Sequence, residues 1–217
     1  MKMRKKIVIM EIKRKYTDEP GADKGAIHLM INRFCGNSCP LCCNNQYDLD
    51  TVPVVTVEEL KAAHTVMLTG GDPFYVKSLM DILAHLRYEY HNIEYVYIYT
   101  SGFPMFKNED ILRYPEQFFS GVNGINFSPK SISDYAVIRE ILSNPQYIFQ
   151  FSAYLRNNRI ILTPNDFMLR KQQEKYIESL PLKEIASYGV NFEVEYRKWK
   201  EEFNPNGGVW RRLPVFL

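Results

Sequence analysis

The sequence predicts an α/β protein whose parallel sheet is built from repeated βα units, and three observations carry that prediction. Strand-like segments begin near residues 26, 65, 93, 124, 159 and 190. Helical patterns fall between them, at intervals of about 30–40 residues, as in βα repeats. A cysteine cluster and a glycine pair follow directly on the first two of these strands, at the end where such sheets hold their ligands.

Residues 6–14 are β-prone and read as an N-terminal edge strand, ended by Glu19-Pro20-Gly21. From Ala26 to Arg33, Ile27, Leu29 and Ile31 alternate with His28, Met30 and Asn32, the pattern of a buried strand. Thr56-Val57-Glu58-Glu59 has the form of a capping box, opening a helix that runs to about Ala63. Thr65 to Thr69 is the second strand, closed by Gly70-Gly71-Asp72-Pro73. Val76, Leu79, Met80, Leu83 and Leu86 mark one face of a long helix. Ile93 to Thr100 is the third strand. Its Tyr95, Tyr97 and Tyr99 share one face as a packing pattern, and Ser101-Gly102-Phe103-Pro104 breaks it.

A helix spans Asn108 to Arg113. Gly124 to Ser128 is the fourth strand, terminated by Pro129-Lys130, and another helix covers about Asp134 to Leu142. Residues 146–156 fit a strand or a buried helix equally well. The fifth strand is Arg159 to Thr163, before Pro164. Asp166 to Ser179 is helical, with a second piece from Leu182 to Ser187 stopped by Gly189. Val190 to Glu195 is the sixth strand, Arg197 to Phe203 a last helix, and Val209 to Leu217 an apolar tail. An open sheet and a partial barrel both satisfy this order with right-handed crossovers.

At 217 residues the chain reads as a single domain. Its 46% hydrophobic and 24% charged residues are ordinary for a soluble globular protein. A net charge of +2 gives no nucleic-acid signal. The apolar run Ile7-Val8-Ile9-Met10 is too short for a signal-peptide core or a membrane span. All 4 cysteines fall between Cys35 and Cys43, a poor disulfide framework and a better metal site in a reducing compartment. A cytoplasmic protein is expected.

Cys35, Cys39 and Cys42 sit at offsets of four and three. Three thiolates at that spacing fold around one small object without closing it. Zinc or a [4Fe–4S] cluster held by protein alone takes four ligands. With three, one position stays open, and open positions bind substrate. The competing reading is structural zinc or packed thiols, but His28 and His64 have no paired ligand spacing. Neighbouring side chains in an extended or loop segment diverge, so Cys43 is not expected to join Cys42 as a ligand of the same centre. Gly70-Gly71-Asp72-Pro73 alone is an ordinary turn, although glycine also lets a ligand approach the backbone.

The cysteine triad followed one βα unit later by Thr69-Gly70-Gly71-Asp72-Pro73 resembles the radical S-adenosylmethionine (SAM) superfamily. The resemblance covers roughly residues 26–130 and continues more weakly to about 196. It implies a partial (β/α)6 barrel over a single 1–217 domain. It implies a [4Fe–4S] cluster on Cys35, Cys39 and Cys42, with SAM bound through its ammonium at Gly70, Gly71 and Asp72. The reduced cluster cleaves SAM to methionine and a 5′-deoxyadenosyl radical, which abstracts a substrate hydrogen. Asp72 stands where that family usually has the longer Glu. Leu41 replaces the family's frequent aromatic.

Thr100, Ser101, Ser128 and Lys130 end the third and fourth strands and are further candidates for the SAM ribose or carboxylate. No residue is assigned to the hydrogen abstraction itself. Thr100-Ser101-Gly102 and Ser128-Pro129-Lys130 resemble 7-carboxy-7-deazaguanine synthase, which implies a small-molecule substrate. That family's magnesium-contacting Asp-Thr is replaced by Cys43-Asn44, a departure that leaves both the magnesium ion and that substrate open. The glycyl-radical activating enzymes, whose substrate is a protein, are a second comparison. A non-catalytic iron–sulfur redox protein is a third, which has no need of the Gly-Gly motif. The enzyme readings imply an external electron donor such as flavodoxin or ferredoxin.

Overall fold

The computed structural model describes residues 14–17, 25–37, 39, 42, 44, 48–163, 167–197 and 210–214. Eight strands among them form one sheet. They are β1 (Arg14–Thr17), β2 (Ala26–Asn32), β3 (Thr65–Gly70), β4 (Tyr95–Thr100), β5 (Gly124–Phe127), β6 (Asn158–Leu162), β7 (Phe192–Arg197) and β8 (Trp210–Arg212). The order is β1-β7-β6-β5-β4-β3-β2-β8, and every pairing is parallel.

From β2 to β7 the strands lie side by side in chain order, with no reversal. Right-handed crossovers that always step the same way lay their helices on one face. These helices are α1 (Val57–Ala62), α2 (Leu79–Glu89), α3 (Phe103–Phe106), α4 (Glu109–Arg113), α5 (Pro115–Ser120), α6 (Ile132–Ser143), α7 (Pro145–Tyr154), α8 (Phe167–Glu178) and α9 (Leu182–Ala186). Leu29, Leu68, Ile98, Ile125, Ile160 and Val194, one from each central strand, join a single core. Leu83, Phe118, Ile138, Phe151 and Ile185 bring the helices into the same cluster. No helix among the described residues is long and apolar enough to cross a membrane.

Strand alternation turns His28, Met67, Tyr99, Asn126, Glu195 and Arg197 to the opposite face. Arg197 on β7 reaches the Tyr99 hydroxyl on β4 at 3.5 Å. Its charge also bears on His28 of β2. Strands are about 4.8 Å apart, so a flat sheet would separate β2 from β7 by about 24 Å. The sheet therefore curls, and this polar face is its concave side. On it His28 stacks on Trp210 of β8, with ring centroids 4.4 Å apart.

Six predicted strands are present within a few residues of their expected bounds. The capping box at Thr56 opens α1 as expected, with Glu59 N donating to Thr56 Oγ1 at 3.2 Å and Thr56 N to Glu59 Oε2 at 3.0 Å. The ambiguous stretch 146–156 resolves as helix, because Asn144 caps it and Pro145 starts it. Pro104 likewise stands in the first turn of a short helix rather than simply ending a strand, and Pro115 starts another. The predicted edge strand at 6–14 is described only at its last residue, Arg14, where β1 begins. The predicted 197–203 helix lies outside the described residues after Arg197, which belongs to β7. Within the apolar tail, Trp210–Arg212 pairs with the outer edge of β2.

Arg87 of α2 fastens the lower end of the sheet. It donates to Gly121 O at 2.9 Å, to Ile93 O at 3.0 Å, to Glu94 O at 3.2 Å and to Asn123 Oδ1. Burial lowers its pKa, yet its planar donors reach carbonyl oxygens of two segments, 93–94 and 121–123. Arg87→Met keeps the stem and strands those carbonyls. It is expected to cost about 2 kcal/mol in urea unfolding.

Candidate functional site

The end of β2 leads straight into the cysteine loop, and the end of β3 holds that loop in place. Gly71 N donates to Asn32 O at 2.8 Å and Asp72 N to Phe34 O at 2.9 Å. The Asn32 side-chain nitrogen donates to Phe34 O at 2.8 Å and to Asp72 O at 3.0 Å. The approach leaves no room for a side chain. A Cβ on Gly70 would lie 2.3 Å from Asn32 O, and one on Gly71 2.0 Å from Phe34 O. Gly70 also has φ +119°, open to glycine alone at low cost. The two motifs that the sequence sets 30 residues apart are thus one structural unit.

Asp72 is the hub of that unit. It is 1% exposed. Its Oδ2 accepts from Thr100 Oγ1 at 2.9 Å, from Ser101 N at 2.9 Å and from Ser101 Oγ at 3.3 Å. Its Oδ1 accepts from Phe74 N at 3.3 Å. Burial pushes the carboxyl up to about 6, against those four donors, which pull the other way. Thr100 and Ser101 are brought to Asp72 as expected of neighbouring strand ends, but their hydroxyls are turned to this carboxylate.

Ser128 and Lys130 stand at the next strand end. Ser128 N donates to Thr100 O at 2.7 Å. Lys130 Nζ donates to Thr163 Oγ1 at 2.9 Å, and Lys130 N to Asp134 Oδ2 at 2.8 Å. The cysteine loop extends towards them, since the charges of Asp134 and Lys130 both act on Cys39.

Burial raises the Cys35 thiol to about 11, a hydrogen bond from the Asn37 backbone opposes it, and the charges of Asp72, Cys39 and Cys42 add to the rise. Burial and Cys42 raise Cys39 in the same way. The three thiols therefore lie within electrostatic range of one another. Among the described residues no three His, Cys, Asp or Glu side chains are drawn close enough together to hold a metal ion. Cys43 lies outside the described residues. The Phe34 and Tyr75 rings, 4.9 Å apart edge to face, flank the loop, with Phe34 61% exposed.

Several polar residues of the concave face carry no motif and escape the sequence reading. On β7, Glu195 is 5% exposed and takes Arg197 Nε at 2.7 Å and Nη2 at 3.2 Å. Burial works to lower the Arg197 pKa, but Tyr99 and Glu195 outweigh it and raise it. The signal was available: Glu193, Glu195 and Arg197 alternate with Phe192, Val194 and Tyr196, a charged face on a strand expected to be buried. Buried Asn32 and Asn126 each leave the side-chain oxygen without a partner among the described residues. A cavity of about 430 Å³ opens elsewhere, between α4, α5 and α7, and no charged side chain lines it. It offers no acid, base or metal ligand, so the strand ends are the better site. No protein-family model matches the chain, and no curated protein matches it.

Proposed function

We propose that the chain is a cytoplasmic radical SAM enzyme whose curled sheet is a partial (β/α)6 barrel. The observation that carries this reading is the docking of the Gly70-Gly71-Asp72 turn onto the take-off of the Cys35–Cys42 loop. Cys35, Cys39 and Cys42 are the ligands of a [4Fe–4S] cluster, and Gly70 and Gly71 shape the seat of SAM. The donor set fits in its chemistry, three thiols within electrostatic range of one another. Cys35 and Cys39, whose pKa values burial and the neighbouring thiols raise, would lose that repulsion on a shared cation centre. The acceptor fit lies beside the glycines, where Asn32 Oδ1 is buried and has no partner among the described residues while its nitrogen is committed twice. That oxygen suits the SAM ammonium.

When bound, the cluster and SAM supply one-electron reductive cleavage of a carbon–sulfur bond and hence hydrogen abstraction from substrate. An external donor such as flavodoxin or ferredoxin supplies the electron. The residues of the chain provide position. Asp72 draws the ends of β3 and β4 together and holds Phe34 O, so it sets where the cysteine loop leaves the sheet. Ser128 and Lys130 stand at the mouth as polar contacts for SAM or a small-molecule substrate, with Lys130 suited to a carboxylate.

The test is anaerobic reconstitution with iron and sulfide, then dithionite and SAM, with 5′-deoxyadenosine read by mass spectrometry. The expected result is formation by the parent and loss to background in Cys39→Ala. A parent that assembles a cluster but neither binds nor cleaves SAM defeats the reading.

A further inference from the structure

The concave face is polar in a way that the outer face of the same strands is not. Arg159 and Glu193 pair at 3.9 Å, and Glu195 and Arg197 pair at 2.7 Å. The Glu195–Arg197 pair, the more buried of the two, is held at a cost that apolar packing does not carry. The four charges sum to zero, so the wall favours neither a simple anion nor a simple cation. The same sheet carries three side chains more than nine-tenths buried, each with one polar atom lacking a partner among the described residues. These are His28 Nδ1, Asn32 Oδ1 and Asn126 Oδ1. A buried polar atom without a partner is costly, and a ligand that supplies the partner recovers that cost.

Asn126 stands beside Tyr99 in the β4–β5 register and beside Arg159 in the β5–β6 register. Tyr99 in turn carries the Arg197 guanidinium, 5.9 Å from its ring centroid, with both terminal nitrogens 3.5 Å from its hydroxyl. Glu195 occupies Nε and Nη2 and leaves Nη1 turned to that hydroxyl. A buried acceptor therefore stands on the strand beside Tyr99, whose hydroxyl donates to Met67 Sδ at 3.8 Å and takes the guanidinium that Glu195 holds in place. Guanidinium and phenol donate to a carboxylate, and an amide oxygen accepts from an ammonium.

We propose that the concave face binds a small zwitterion, a free α-amino acid. Its carboxylate lies on Arg197 and the Tyr99 hydroxyl, and its ammonium donates to Asn126 Oδ1. As the substrate site this assignment rests on the hydrogen-abstraction reading above. As a binding site it does not, so metal-free protein separates the failure of one from the failure of the other.

The experiment is thermal unfolding of the full metal-free chain with each of the standard L-amino acids in turn at about 10 mM, enough to fill a millimolar site. At least one is expected to raise the midpoint by about 3 °C. Its N-acetyl and carboxamide derivatives are expected to give no rise. Tyr99→Phe removes one donor and keeps the ring beneath Arg197, so it is expected to weaken binding about tenfold by titration calorimetry. Asn126→Leu is expected to abolish it. If no amino acid shifts the midpoint, if the blocked derivatives protect equally, or if Tyr99→Phe and Asn126→Leu bind like the parent, the assignment is overturned.

Discussion

Gly71→Ala is expected to destabilise the chain by about 4 kcal/mol and to unseat the cysteine loop. The new Cβ would stand 2.0 Å from Phe34 O and 2.4 Å from Phe34 C, both backbone atoms. No rotamer relieves a clash with backbone, so the strand end or the loop must move. That movement breaks the bonds that Phe34 O accepts from Asp72 N and from the Asn32 amide. Each lost bond is worth about 1 kcal/mol, with about 1–3 kcal/mol more for any buried group left unpaired. Urea unfolding measures the loss, and alkylation of metal-free protein measures the release of Cys35, expected to be at least tenfold faster. Gly189→Ala is the control. At φ +80° its cost is conformational, about 1 kcal/mol, because the nearest atom to its Cβ is 3.9 Å away. Equal losses at the two positions would show that the close approach at Gly71 is not what matters.

Acid should act in opposite directions on two buried groups. Burial, then the charge of Arg197, lowers the His28 pKa from 6.5 to about 4. The folded state thus binds this proton less well than the unfolded one, and stability is lost as pH falls from 6.5 towards 4. Over the full window the loss is about 3 kcal/mol. Asp72 runs the other way. Burial raises its carboxyl from 3.8 to about 6, so the folded state binds the proton more tightly. Stability falls as pH rises from 3.8 to 6, again by about 3 kcal/mol over the window. Charged Arg197 and the phenol of Tyr99 face His28 together with Trp210.

The parent is therefore expected to change little from these two groups between pH 4 and 6, and the single variants to separate them. Relative to the parent, His28→Phe, which keeps a ring on Trp210, should gain stability as pH falls. Asp72→Asn should lose it. Denaturant unfolding at a series of pH values gives both slopes, and two slopes of the same sign would contradict the assignment.

The six-unit architecture was legible because each unit is local. Ile27, Leu29 and Ile31 report a strand from their spacing alone, and the capping box at Thr56 reports the helix that follows. What escaped the sequence was non-local or depended on a direction. Trp210–Arg212 is three residues long, and its partner β2 lies about 180 residues earlier, so no local pattern marks it. Pro145 reads as a breaker unless the cap at Asn144 is seen with it. The Gly-Gly-Asp spacing puts Asp72 beside the start of the cysteine loop, but spacing does not say which way a carboxylate turns. The outcome depends on Thr100 and Ser101, which reach it from another strand. The alternation of Glu193, Glu195 and Arg197 marks a charged strand face, but what Arg197 meets there, Tyr99 of β4, is set by the curl of the sheet.

The edge pairs carry a consequence for the order of assembly. Between β2 and β7 each strand pairs with the next in the chain, so this part can form progressively as it is synthesised. The pairs β1–β7 and β2–β8 join segments about 180 residues apart, and neither can close until its distal strand exists. The cysteine loop leaves β2, the strand whose outer edge waits for β8. Through most of synthesis the loop therefore flanks an unfinished border of the sheet. That border closes only once residues 210–212 have been made and Trp210–Arg212 has paired with His28–Met30.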